Sequence, residues 1–311
     1  MQTYRFTEEQ NGFMSKKTAG MMLTLMGGLC WGLSGCMGQY MFSVLGMDSK
    51  WLVPIRLGLA GVLMLIYCFI RYGKQTIAPW KNRMECIELL IYGLPGVAVC
   101  QFTYFLTIQL STASFGTIMQ DLSPVFIMIV MCIKKRKRPE LIQVTAIILA
   151  LVGVTLVSSH GDLANLGAQS TAIIVGAISG FCVMIYNVVP VHLINKYPIS
   201  IMQAWSFAMG GVFLGLVFRS WNIHYVPDIR GIIGIIFVIV VGNILAFTLY
   251  MKGVSYIGPE KSILYGFSEP LVAAIVGIAF FKNPFTFADV IGFICIFLML
   301  FLITKANAKA A

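Results

Sequence analysis

The 311-residue chain carries one pattern twice: the stretch from Tyr104 to Pro124 recurs from Tyr250 to Pro270 with no gap. In each copy a Tyr stands twenty positions before a Pro, and an apolar run follows that Pro. The offset of 146 persists, setting Gln143 on Asp289 and Ala146 on Gly292. Each copy also holds an acid at or near the Pro, Asp121 in one and Glu269 in the other. A long internal repeat constrains a fold before any local signal does, because each copy must form the same unit. The chain is therefore read as two halves, each with a helix-breaking Pro and an acid inside an apolar stretch.

Those apolar stretches belong in a bilayer. Of the residues 59% are hydrophobic and 11% charged, against about 25% charged in a soluble domain. A membrane-crossing helix needs about 20 mostly apolar residues. Ten segments meet that need: 18–45, 51–70, 86–109, 113–133, 141–158, 170–193, 199–218, 231–252, 259–281 and 285–304. Barrel strands would alternate over about ten residues, a pattern not found here. The expected fold is an all-α membrane protein with ten transmembrane helices arranged as two inverted five-helix repeats. An odd number of crossings per half forces the inversion and places a site near the midplane between halves. Residues 1–17 form an N-terminal tail, 18–158 the first repeat, 170–304 the second, and 305–311 a C-terminal tail. The polar tail Met1–Lys17 leads into a long span with no small-residue cleavage signal, so that span reads as a retained anchor.

The net charge of +10 follows from topology. With the N-terminus inside, seventeen Lys and Arg fall on the cytoplasmic side, among them the run Lys134–Arg138, and four outside: Lys50, Arg219, Arg230 and Lys282. That bias puts both termini in the cytoplasm of a multi-pass cell-membrane protein. A nucleic-acid partner is not expected, because the basic residues sit in short loops between spans. Small residues four apart, Gly28/Gly32, Gly176/Gly180 and Gly211/Gly215, are helix-packing signals. The eight Cys form no close pair and the three His have no metal-ligand spacing, so neither metal nor cofactor is expected.

These residues resemble the drug/metabolite transporter superfamily, specifically its EamA-like family. The marks are Trp31-Gly32, Pro54-Ile-Arg56, Ala113 to Pro124-Val, Gln143 with Gly153-Val154, and Glu269-Pro270-Leu, from about Lys17 to Lys305. The resemblance implies a ten-helix inverted-repeat carrier that moves small metabolites or amino acids, usually outward. Members often carry Glu six positions before the residue matching Gln143. Lys137 stands there in this chain, and Asn283 at the equivalent place in the second half.

The candidate substrate-binding residues are Trp31, Tyr104, Asp121, Asn187, Asn243, Tyr265 and Glu269. Asp121 lies about 12 Å and Glu269 about 18 Å into their helices at 1.5 Å per residue, near the middle of a core about 30 Å thick. An ionisable group at that depth marks a functional site unless it is paired or neutral. Pro124 and Pro270 interrupt the backbone bonds to Gln120 and Gly266, which either frees carbonyls toward a substrate or leaves a kink without a ligand. Amides at depth are either interhelical ties or cavity lining. Trp31 offers an aromatic face. Arg56, about five residues from the outer boundary, is read as a structural residue that snorkels to water. A GxxxxGK[ST] phosphate loop is missing, so ATP does not drive the chain directly. The expected partners are a small-molecule substrate, the lipid bilayer and, as a candidate coupling ion, the proton; the chain is expected to work as a monomer. A channel-like facilitator is the alternative. An intramembrane enzyme would want HExxH, GxSxG or paired acidic motifs, which are not found.

Overall fold

The computed structural model describes residues 2–136, 140–161, 169–257, 262, 265, 266 and 268–310. Among them every regular element is helical. Helix α1 runs Gln2–Ser43, and α2, Ser49–Tyr72, passes into a tight 3-10 segment at Gly73–Lys81. Helices α3 (Arg83–Ile91) and α4 (Val99–Leu110) are joined by a wider π-helical segment, Tyr92–Ala98. Then come α5 (Ala113–Gln120), α6 (Ser123–Lys135) and α7 (Leu141–Ser159). The second part holds α8 (Ser170–Val188), the short α9 (Val191–Lys196) and α10 (Ile199–Phe218). Helices α11 (Ile229–Phe237) and α12 (Ala246–Ile257) are joined by another π-helical segment, Val238–Leu245. Helices α13 (Ser268–Phe281) and α14 (Phe287–Ala310) complete the chain.

Local chemistry sets several starts. The side chains of Asp48, Asn82, Thr112 and Asp228 accept backbone N–H bonds from the first turns of α2, α3, α5 and α11, supplying partners the helix itself lacks there. Seven helices among the described residues are long and apolar enough to cross a membrane. They begin at Lys16, Ser49, Arg83, Ala113, Ser170, Ile199 and Ile229. Three further apolar helices, Leu141–Val157, Ser268–Phe281 and Phe287–Ile303, are shorter. The described parts of the ten expected segments are largely helical; of the three shorter ones, α7 and α14 still run 19 and 24 residues as helices, and α13 follows residues outside the described set. Part of the ninth, 259–281, and part of the Lys134–Arg138 run lie outside the described residues.

The outer surface is apolar. Leu59, Leu63, Ile66 and Ile70 on α2, and Val212 and Leu216 on α10, are large and exposed. Stripes of this size suit lipid rather than water. Inside, α2 packs on α10, α7 on α14, α1 on α12 and α13, and α8 on α4, α5 and α6. Without a hydrophobic drive in lipid, such contacts depend on close backbones. A Cβ added at Gly61 would lie 2.2 Å from the Ala208 nitrogen, and one at Gly211 would lie 2.4 Å from that of Gly58. The α2–α10 crossing therefore tolerates no side chain at either position.

Candidate functional site

The first repeated proline stands just past a helix interruption, whereas the residues just before the second lie partly outside those described. Helix α5 stops at Gln120, Asp121 caps it through an N–H bond of 2.9 Å to Thr117 O, and Pro124 lies in the first turn of α6. Glu269 and Pro270 lie in the first turn of α13. Small residues of the neighbouring helices seat both places. A Cβ on Gly32 would come within 2.6 Å of Glu269 O, and one on Gly180 within 2.8 Å of Met119 O. The packing signals at Gly28/Gly32 and Gly176/Gly180 thus hold α1 and α8 against the two helices that carry the acids.

The two π-helical segments add a second irregularity. Val238 follows Tyr92 by 146 residues, the same offset that relates the prolines. Each segment ends in a bond five residues long, from Val99 N–H to Leu94 O and from Ala246 N–H to Val241 O. Such widened turns recur at functional sites because they displace side chains and carbonyls from the regular ladder. Tyr92, Val97, Gly242 and Asn243, all from these segments, face one cavity.

That cavity has a volume of about 290 Å³ and is lined by helices from both halves. Trp31, Tyr104, Asp121, Asn187, Asn243 and Glu269 line it; Tyr265 is not among its lining residues. The structure so brings six of the seven sequence candidates together. Tyr104 Oη donates to Glu269 Oε1 at 3.2 Å. Tyr92 Oη donates to Gln203 Oε1 at 2.8 Å, and Gln120 Nε2 donates to Cys100 Sγ at 3.1 Å. Trp31 and Tyr250 form an aromatic wall, their ring centroids 4.9 Å apart. Three lining residues carry a buried polar atom with no hydrogen-bond partner: Arg56 Nε, Asp121 Oδ2 and Asn243 Nδ2. Native proteins leave few such atoms, and each calls for an explanation.

Arg56 corrects the sequence reading. It does not reach water at the outer boundary: it is 2% exposed and lines the cavity. Its Nη2 donates to Gln101 Oε1, and its Cζ lies 3.8 Å from the centre of the Phe105 ring. Position along α2 suggested snorkelling; the face of α2 that points inward decides otherwise. Tyr92, Tyr186, Tyr250 and Gln203 were also passed over, because single polar aromatics and amides in an apolar span do not reveal which face they share.

The two ends of the molecule differ. At the end away from the basic loops, Gln39 accepts from Ala113 N–H at 2.8 Å and donates to Asn283 Oδ1 at 3.3 Å, while Gln109 accepts from Ser49 N–H at 2.9 Å. Those amides are interhelical ties. Met41, Met47, Leu52, Phe105 and Ile108 are buried around them. His160 Nδ1 also pairs with the buried Asp289 at 2.9 Å, a contact the sequence did not signal. Toward the basic end, cavity lining continues to Asn187 and Ile199. There Lys196 Nζ and Tyr197 Oη donate to Glu85, the latter at 2.6 Å. That hydrogen bond to the Glu85 carboxylate raises the Lys196 pKa, and burial does most to raise that of Tyr197.

The family model of the EamA-like transporter family matches residues 18–159 and 170–305. An uncharacterized inner membrane transporter of Salmonella typhimurium, YicL, is 31% identical over 298 residues, which cover 96% of this chain and 99% of that protein. An uncharacterized transporter of Archaeoglobus fulgidus is 22% identical over 83% of this chain and 90% of its own length. A crystal structure at 14% identity overlays with a TM-score of 0.62, covering 94% of this chain and 99% of that one, a likeness of fold alone. With its apolar helices, its lipid-facing surface and these relatives, the chain belongs to the EamA-like transporter family and is a multi-pass membrane transporter.

Proposed function

We propose that the chain is a secondary transporter that exports a small metabolite or amino acid across the cell membrane by alternating access. The path is the cavity between two inverted repeats of five helices, with Trp31, Tyr104, Asp121, Asn187, Asn243 and Glu269 as substrate-binding residues. One observation carries this reading: a single cavity is lined by the repeated tyrosines Tyr104 and Tyr250, and by both acids, Asp121 and Glu269. Midplane sites of inverted-repeat carriers are built this way, from interrupted helices at the repeat interface.

The packing supports the inversion. Exchanging the halves leaves the pairs α2–α10 and α7–α14 in place, and turns α1–α12 into α8–α4 and α1–α13 into α8–α5 and α8–α6; all of these contacts are made. The Lys and Arg bias supports cytoplasmic termini. Alternation is supported by a difference between related residues. Asn187 follows Gln39 by 148 residues, the offset that relates Gly28 to Gly176. Gln39 ties three elements together at the outer end, whereas Asn187 lines the cavity and donates 2.8 Å back to Val183 O of its own helix. Among the described residues the Gln39 tie has no counterpart at Asn187, as in a carrier facing the cytoplasm; positions 259 and 137, related to Ala113 and Asn283, lie outside the described residues. Asp121 and Glu269 have no ion-pair partner among the described residues, which makes the proton the natural coupling ion.

Counterflow in proteoliposomes tests the proposal. A panel of labelled amino acids and metabolites is offered to vesicles preloaded with the same unlabelled compound. Saturable uptake accelerated by the preload is expected for one class; flux without saturation or exchange would mean a channel, and no flux across the panel would reject the carrier.

A further inference from the structure

Arg56 presents a physical problem that the proposed path does not resolve. A guanidinium is always charged at physiological pH, and a charge at this depth is costly unless something answers it. Its contacts are the neutral Gln101 amide and the Phe105 ring face. The ion pairs among the described residues are His160–Asp289, His192–Glu88 and Lys196–Glu85, none of which involves it. Its Nε has no partner, it is 2% exposed, and it faces the cavity. The two neutral neighbours fix the fork in place without neutralising it. Held so, a guanidinium is preorganised for a planar anion bound through two parallel N–H bonds.

We propose that Arg56 is the anion anchor of the cavity and that the substrate carries a carboxylate that it binds. This rests on the cavity being the substrate path. The choice of a carboxylate over a phosphate follows from α4. Gln101 and Phe105 hold Arg56, and Tyr104, within the same turn, holds Glu269. A dianion would meet Glu269 and Asp121 in the same small space, whereas a single carboxylate brings half that repulsion. The site therefore selects by group and by charge. Gln101 is a positioning residue that aims the fork.

The test uses purified full-length protein in nanodiscs and matched probes that differ in charge alone: 3-phenylpropionate against 3-phenylpropanamide, and acetate against acetamide, with inorganic phosphate as a third arm. Binding is read by thermal shift across concentration. The wild type is expected to bind each carboxylate about tenfold or more tightly than its amide. In Arg56→Gln the preference should vanish. Because removing a buried Arg can disturb folding, Gln101→Glu is the second variant: it keeps Arg56 and gives it an internal carboxylate, so the preference should fall while the unliganded protein melts no lower. Equal binding of carboxylate and amide by the wild type, or an unchanged preference in Gln101→Glu, would overturn the assignment; tighter binding of phosphate than of carboxylate would overturn the choice of group. Counterflow of the same probes separates the two levels. Amide exchange without carboxylate preference removes the anchor and leaves the carrier, and carboxylate preference without exchange does the reverse.

Discussion

Asp121 and Glu269 share a cavity but are held differently, since Tyr104 donates to Glu269 while Asp121 Oδ2 has no partner. Glu269→Gln and Asp121→Asn keep size and hydrogen-bonding capacity while removing the exchangeable charge. Each should lower proton-dependent exchange by about tenfold or more, with unchanged membrane insertion measured by the yield of folded protein in detergent. Wild-type exchange rates in both variants across pH would remove the acids from the coupling. Six of the residues around this chemistry were legible in the sequence for one reason: acids, amides and aromatics stand out inside apolar spans, and the repeat says where to look. Arg56 was not legible, because distance from a span end measures reach to water and says nothing about which way α2 is turned. That turn is set by α10 and α4, far away in the chain. Tyr265, the seventh candidate, is not among the residues that line the cavity.

At the scale of elements, the helices were readable from apolar runs and the break between α5 and α6 from Pro124. The π-helical segments were not, since an extra residue per turn over seven or eight positions leaves the local apolar average unchanged. Their shared register, 146 residues apart, appears only once the backbone is seen. The strongest element-scale consequence concerns the α2–α10 crossing. A methyl at Gly61 would meet the Ala208 backbone at 2.2 Å and cannot be absorbed by a rotamer change. Gly61→Ala should therefore destabilise by about 1–3 kcal/mol, as overpacking does, and lower the melting temperature in detergent. Gly58→Ala, whose added Cβ meets nothing closer than 4.0 Å, should melt near the wild type. Equal melting of the two variants would mean that the crossing is looser than described.

For the whole molecule, the account turns on which end is tied. Gln39 bridges α1, the start of α5 and the segment after α13. If the carrier alternates, this bridge must break once in every cycle. The most direct measurement uses Gln39→Cys with Asn283→Cys in a background whose eight native cysteines are replaced. The two positions are joined by a short, membrane-impermeant bis-methanethiosulfonate applied from outside, and counterflow is then read in proteoliposomes. Alternating access through this cavity predicts that cross-linking stops exchange, that reductive cleavage restores it, and that a cysteine at position 187 stays reactive from the cytoplasmic side throughout. Exchange at an undiminished rate through the cross-linked protein would contradict it.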